Sequence, residues 1–250
     1  MTRFHVVAIA AAVLGTLALV FGNLAWFIIV LLAFGLVIGL GVTFPQLSLF
    51  GVFVCHGDPA KRCVALTFDD GPDRRSTPAL LEVLREEGVA VAFFCIGQRV
   101  LAERELAARI VREGHLLENH SYAHSNATNF FTVTRLKADL AQAQATIQQA
   151  TGNAPTLFRP PMGLSNPRVF RAAQGLGLQV IGWSARGLDT QNRDPERIVA
   201  RIVRQLEPGA IILLHDGNIP GERLVVTVKL LLAKLKERGY EIVRLDRMLK

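Results

Sequence analysis

Hydrophobic residues are laid out along this chain in two different ways. From Val6 to Val42 no charged side chain occurs, and Thr16 and Asn23 are the noticeably polar positions in an otherwise apolar run. As a single helix the run would be on the order of 50 Å long, against a bilayer hydrocarbon core of about 30 Å. The turn-forming pair Gly22-Asn23 sits near its middle, so the pattern predicts two shorter membrane helices, roughly 6–21 and 24–40, within an anchor of residues 1–50. A cleaved signal peptide fits less well, because the apolar region is too long and no small-x-small site follows it. Arg3 before the run and Lys61-Arg62 after it give little charge asymmetry, leaving open a hairpin or a single kinked span.

Beyond residue 50 the pattern changes to short apolar runs of β type at 63–68, 91–96, 116–118, 156–158, 179–183, 210–214 and 241–243. Helical patterns fall between them. Thr77 is expected to cap a helix that begins at Pro78 and closes at Gly88; Asn166-Pro167 and Asp194-Pro195 begin two others, the first ending near Gly175. A last long helix, 222–238, stops at Gly239. Short buried strands alternating with helices predict parallel βαβ units. The expected fold is α/β, a distorted (β/α)7-type barrel over residues 51–250, preceded by the hydrophobic membrane segment.

Composition narrows the partners. The net charge of +7 lies mostly in the second part, with basic residues frequent from Arg223 onward. A basic helix face near an anchor can lean on anionic headgroups, or simply be solvated beside Glu222, Glu237 and Glu241. Nucleic acid is not an expected partner, since aromatics make up 7% and no reader motif occurs. Cys55 and Cys63 flank a turn-like stretch, and either a disulfide or two isolated thiols fits that placement; Cys95 reads as a small core residue.

Each of five strand candidates leads into a polar cluster. Asp69-Asp70 follows the first, His120 and His124 the third, Arg159 the fourth, Asp189 lies beyond the fifth, and His215 follows the sixth. Carboxyl ends of parallel strands open on one face, so these residues should converge in one cleft. The i, i+4 spacing of His120 and His124 would place both rings on one side of a helical turn. With a carboxylate they make the two-histidine, one-carboxylate set of catalytic zinc. Neighbouring side chains diverge on a strand, so Asp69 and Asp70 can divide the work, one ligating and one taking a proton. His215, emerging from a buried strand, has the titration range of a proton donor. Arg159, ahead of Pro160-Pro161, stands on stiff backbone and can orient a carboxylate.

The ordered set resembles the polysaccharide deacetylases of the NodB-homology type, carbohydrate esterase family 4. Thr67-Phe68-Asp69-Asp70 matches the first motif, His120-Ser121-Tyr122-Ala123-His124 the second, Arg159–Gly163 the third and Leu213-Leu214-His215 the fifth. The resemblance implies Asp69 as catalytic base, Asp70, His120 and His124 as ligands of a divalent metal such as zinc, and His215 as acid. It implies that Arg159 and Asp189 orient and tune the base and the acid. Two positions depart from the pattern: Met162 replaces an aromatic residue, and Asp189-Thr190 stands where an Asp-Trp pair is common, with Trp183 six residues earlier. The implied reaction is hydrolysis of N-acetyl or other N-acyl groups from amino sugars of a polysaccharide or cell-wall glycan. Deacylation or deformylation of a lipid-linked amino sugar, and a catalytically inactive, membrane-tethered glycan-binding module, are the alternatives. A place in the bacterial inner membrane is expected, anchored through residues 6–42, with the domain facing the periplasm or outside, where glycan substrates of the family lie.

Overall fold

The structure is a computed structural model that describes residues 2–164 and 166–250. Helices α1 (Arg3–Val20) and α2 (Leu24–Thr43) pack on each other as a hairpin, with the Phe27 ring against Gly15. The pair at the turn acts as its chemistry dictates: Gly22 takes the left-handed conformation (φ 65°), and the Asn23 side chain caps α2 by accepting from the Trp26 N–H at 3.1 Å. Mean hydropathies of 2.0 and 2.7 accompany apolar side chains that stay outside the protein, Leu32 being 70% exposed. Both open ends of the hairpin reach the rest of the chain, where Phe4 N–H and the Arg3 guanidinium donate to the carbonyls of Leu49 and Leu47 at 2.9 Å each.

The second part holds β1 (Cys63–Asp69), β2 (Ala92–Cys95), β3 (Leu116–Asn119), β4 (Leu157–Phe158), β5 (Gln179–Val180), β6 (Ala185–Arg186), β7 (Ala210–His215) and β8 (Glu241–Ile242). The sheet order is β5-β4-β3-β2-β1-β7-β6, with β8 also on β1, and the strand pairs are parallel. Strands β5 and β6 are consecutive in the chain yet form opposite edges of the sheet. Seven strands lying flat would spread about 29 Å at ~4.8 Å each. The link from Val180 to Ala185 extends at most about 18 Å. The sheet therefore curls into an incomplete barrel, open between β5 and β6 and crossed there by residues 181–184. This is the expected distorted barrel, with one unexpected strand, β6, and a β5 shorter than its apolar run.

Around it lie α3 (Thr77–Glu86), α4 (Gly97–Ala102), α5 (Arg104–Arg112), α6 (Val133–Thr151), α7 (Pro167–Gln174), α8 (Pro195–Val203), α9 (Gly221–Glu237) and α10 (Leu245–Met248). Strand alternation sorts the core. In β1, Val64, Leu66 and Phe68 pack outward among α3, α8 and α9, while Cys63 and Ala65 join the barrel interior with Phe94, Ile181 and Ile211. The interior face of β1 continues through Thr67 to Asp69, and that of β7 runs from Ile211 through Leu213 to His215. Two residue-by-residue alternations thus deliver a carboxylate and an imidazole to the same rim.

One local expectation changes and one open choice closes. Thr77 is the first residue of α3 and not its cap; its hydroxyl donates to Asp216 Oδ2 (2.5 Å) and accepts from the Asp73 N–H (2.8 Å). Cys55, Cys63 and Cys95 are buried free thiols. The flanks of the Cys55–Cys63 stretch pair elsewhere, Val54 with Ile181 and His56 with Ala210, so no hairpin brings the two sulfurs together.

Candidate active site

Asp69 and His215 are register neighbours on the adjacent parallel strands β1 and β7, so both side chains point the same way at the carboxyl rim. Asp69 is held from behind. Fully buried Arg159, which follows β4, donates through Nη1 to Asp69 Oδ1 (2.7 Å) and Thr67 Oγ1 (2.8 Å), and through Nη2 to the Gly182 carbonyl (2.9 Å). Phe94 lies under the guanidinium at 4.1 Å. A buried cation in this setting keeps Asp69 fixed in position beneath the cleft.

Asp70 would diverge from Asp69 on a regular strand. It leaves the strand with φ 72°, and its Oδ1 then lies 3.4 Å from His120 Nε2 and 3.3 Å from His124 Nε2. The two histidines do not share a helical turn, contrary to their spacing. Residues 120–127 form an irregular loop, with Ser121 at φ 67° and His124 at φ 48°. Side chains replace the helical ladder: Asn119 Oδ1 accepts from Ser121 N–H (2.8 Å), Ser121 Oγ from His124 N–H (3.0 Å), and Asp139 on α6 from Tyr122 N–H (2.9 Å) and Ala123 N–H (3.3 Å). Non-glycine residues in the left-handed region carry strain, and they recur around this rim at Asp70, Ser121, His124, Met162, Leu188 and Asn218.

The donor set of Asp70, His120 and His124 fits a divalent cation. One ligand atom from each lies within 4.8 Å of the others. His120 Nδ1 faces the Arg159 carbonyl at 2.7 Å and must donate its proton there, leaving the Nε2 lone pair toward the site. The Asp70 Oδ1 that meets it is buried and accepts no hydrogen bond. Electron pairs facing one another in a buried place call for a positive charge between them. Burial opposes ionisation of Asp70, but the facing imidazoles outweigh it and hold the carboxyl well below the usual carboxylate range.

His215 is held by one carboxylate twice: Asp189 Oδ2 accepts from its N–H (2.8 Å) and Oδ1 from Nδ1–H (3.0 Å). Nε2 is thereby left for the cleft. Burial favours the neutral ring, yet the Asp189 hydrogen bond and charge, reinforced by Asp69 and Asp70, push His215 up to about 9. The cleft has a volume of about 300 Å³ and is walled beyond these groups by Met162, Trp183, Arg186, Thr190 and Leu213. Trp183 supplies the aromatic wall that Met162 and Thr190 do not. Its ring lies so close to Gly163 that a Cβ there would come within 2.1 Å of it.

All seven expected side chains thus meet at one rim. The sequence did not mark Thr67, Asn119 and Asp139 as supports, and nothing local distinguishes Asp139 from any other acid on a helix. Asp216 adjoins His215 and was within reach of inspection. It is fully buried, and burial, with the Asp70 charge adding, pushes its carboxyl up to about 7, against the Thr77 hydrogen bond. Its backbone N–H donates to the Asp69 carbonyl (3.1 Å) and its own carbonyl accepts from the Ser76 hydroxyl, tying the carboxyl ends of β1 and β7 together.

Residues 56–181 match the family model for polysaccharide deacetylase. A peptidoglycan-N-acetylglucosamine deacetylase of Bacillus cereus is 34% identical over 192 residues, 76% of this chain and 89% of the relative. A chitooligosaccharide deacetylase of a Bradyrhizobium species is 34% identical over 209 residues, 78% and 95%. The chain belongs to the polysaccharide deacetylase family. Solved relatives share the fold: a peptidoglycan N-acetylglucosamine deacetylase has a TM-score of 0.73 and 28% identity, covering 78% of this chain and 92% of that one. A CE4 family pseudoenzyme from Bacillus anthracis has a TM-score of 0.74 and 27% identity, covering 80% and 69%. The family match begins after the apolar hairpin.

Proposed function

We propose that this family member is a metal-dependent hydrolase that removes N-acetyl groups from amino sugars of a glycan, with residues 1–50 as a membrane hairpin and residues 51–250 as the catalytic domain on the outer side. The observation that carries the reading is the juxtaposition of the Asp70–His120–His124 donor set with Asp69 and His215 at one rim. The relatives' names, which specify peptidoglycan N-acetylglucosamine and chitooligosaccharides, support the substrate class. The pseudoenzyme among the structural neighbours is a reminder that the fold alone does not make a catalyst; what supports catalysis here is that Asp69 and His215 stand beside the donor set.

Asp70, His120 and His124 would hold the ion, and zinc suits two imidazoles and one carboxylate. When bound, it supplies Lewis-acid polarisation of the amide oxygen and acidifies a water. Asp69, held in place by Arg159, takes the proton of the attacking water. Trp183 and Met162 bound the space for the sugar and acyl group. His215, protonated and oriented by Asp189, gives its proton to the departing amine, which is too basic to leave without one.

The test is release of acetate and free amine from N-acetylglucosamine oligomers by metal-loaded protein. Asp69→Asn should lower turnover about 10²–10⁴-fold, the range for losing a general base, with metal content unchanged. Undiminished turnover in that variant would remove Asp69 from its role. Glycan binding without acetate release from fully metal-loaded wild type would favour the inactive binding module.

A further inference from the structure

The hairpin is joined to the wall of the cleft. Three residues after the end of α2, the Gln46 side chain donates to the Trp183 carbonyl at 3.2 Å, and Trp183 lines the cleft. Three peptide steps reach at most about 11 Å, so the end of the apolar helix lies within those steps and one glutamine side chain of the cleft wall. Apolar side chains on neighbouring segments of chain are left uncovered. Phe44 (49% exposed), Leu47 (46%), Val52 (75%), Phe130 (82%) and the cleft residue Met162 (49%) all present their side chains outward. The loops bearing Phe130 and Met162 are linked by the Asn166 side chain, which donates to the Asn129 carbonyl at 2.7 Å.

Charge on the same side is one-signed. Helices α6 and α7 pack through Leu136, Leu140, Val169 and Phe170 into the cluster that also receives Phe4, Val7, Val37, Ile38 and Val42 of the hairpin. Their exposed cations Arg135, Lys137, Arg168 and Arg171 take part in no ion pair among the described residues. Asp139 is the single acidic residue between 131 and 175, and it is engaged with the histidine loop. By contrast Lys229 and Lys234 on α9 are matched by Glu86 and Glu237. Unneutralised cations on the helices that share the hairpin's apolar cluster, with exposed aromatics on adjoining loops, match an anionic headgroup layer. At the cleft itself Arg186 is exposed, stands 5.7 Å from the Trp183 ring centroid and has no carboxylate partner among the described residues.

We propose that the cleft draws its substrate from the bilayer surface, and that this substrate is an N-acylated amino sugar joined to a membrane lipid through phosphate. The inference rests on the reading of the chain as a membrane-held deacetylase and specifies that reading's substrate. The lipid chain would stay among the acyl tails beside the hairpin. The phosphate meets Arg186, and the sugar enters between Trp183 and Met162 toward Asp69 and His215. A polymer held away from the bilayer would have to bend down into the headgroup layer to reach the same position.

The test uses full-length, metal-loaded protein in vesicles of phosphatidylcholine with phosphatidylglycerol. Two probes are compared: N-acetylglucosamine phosphate on a long-chain polyprenol, and soluble chitotetraose. The lipid-linked probe should be deacetylated at least about tenfold more efficiently, and Lys137→Glu with Arg171→Glu should lower that preference by about tenfold. Arg186→Ala should raise KM for the phosphate-linked probe more than for the same sugar on a neutral lipid. The chitotetraose rate of the charge-reversal variant, and the thermal unfolding transition of Arg186→Ala, report whether each is folded. Equal or better turnover of chitotetraose by wild type, or a preference untouched by the charge reversals, overturns the inference and leaves the deacetylase reading standing. Acetate release from neither probe overturns that reading and the inference with it.

Discussion

Two buried histidines flank the four-residue strand β3 and behave in opposite ways. His115, at the amino end, accepts the Val91 N–H on Nδ1 (3.2 Å) and lies edge-on to Phe93. Burial, with no opposing carboxylate strong enough to offset it, pushes its pKa down to about 4. His120, at the carboxyl end, is just as buried, yet the charges of Asp69 and Asp70 overcome desolvation and raise it. Burial therefore does not make a site; what the chain places opposite the ring does. One rim of the barrel is packed for stability, and the other collects the Asp70, His120 and His124 donor set.

The largest break in this comparison comes from His120→Ala, which should abolish metal binding and reduce acetate release to background, as seen by metal analysis and turnover together. Asp139→Ala tests the loop that carries both proposed histidine ligands. Losing its two backbone anchors should weaken metal affinity about 10–100-fold, with activity recovered at high metal concentration. If affinity is unchanged, the loop is held by Asn119 and Ser121 alone. Asp189→Asn acts on strand-borne His215, the proposed acid. His215 must be protonated to act, so activity should fall as pH rises through its raised pKa, and the variant's alkaline limb should lie at lower pH than wild type. A limb that stays in place would mean that His215 does not supply the proton.

The smallest effect is expected at His115 and concerns stability alone. A histidine whose folded pKa is depressed stabilises the fold above its ordinary value of 6.5 and loses that contribution as pH falls toward about 4. Unfolding measured across that window should show a loss of roughly 1–3 kcal/mol. His115→Gln should flatten the loss while leaving acetate release at neutral pH unchanged. A pH dependence identical to wild type would assign acid sensitivity to other groups.

How much of this was legible follows the same division. Runs such as Cys63-Val64-Ala65-Leu66 and Ile211-Ile212-Leu213-Leu214 are apolar because both faces of β1 and β7 are covered, so the strands and the polar residues at their ends could be read directly. The histidine loop could not. A four-residue spacing suggests a helix, and only the left-handed Ser121 and His124, held by Asn119 and by Asp139 from α6, create the actual geometry. Strand β6 was invisible because two residues, Ala185 and Arg186, carry no pattern, and it exists through pairing with β7. Thr77 looked like a cap because threonine before Pro78 usually is one; the buried Asp216 carboxyl claimed its hydroxyl instead.

The seam between β5 and β6 has a consequence for how such a cleft can change. One short stretch of backbone both draws the two margins of the sheet together and carries Trp183 into the wall of the cleft. Adding or removing a residue there would alter the curvature of the whole scaffold and the width of the opening at once, with no catalytic side chain replaced. The width of the cleft is thus tied to the length of a connector, a quantity that insertions and deletions can tune in single steps.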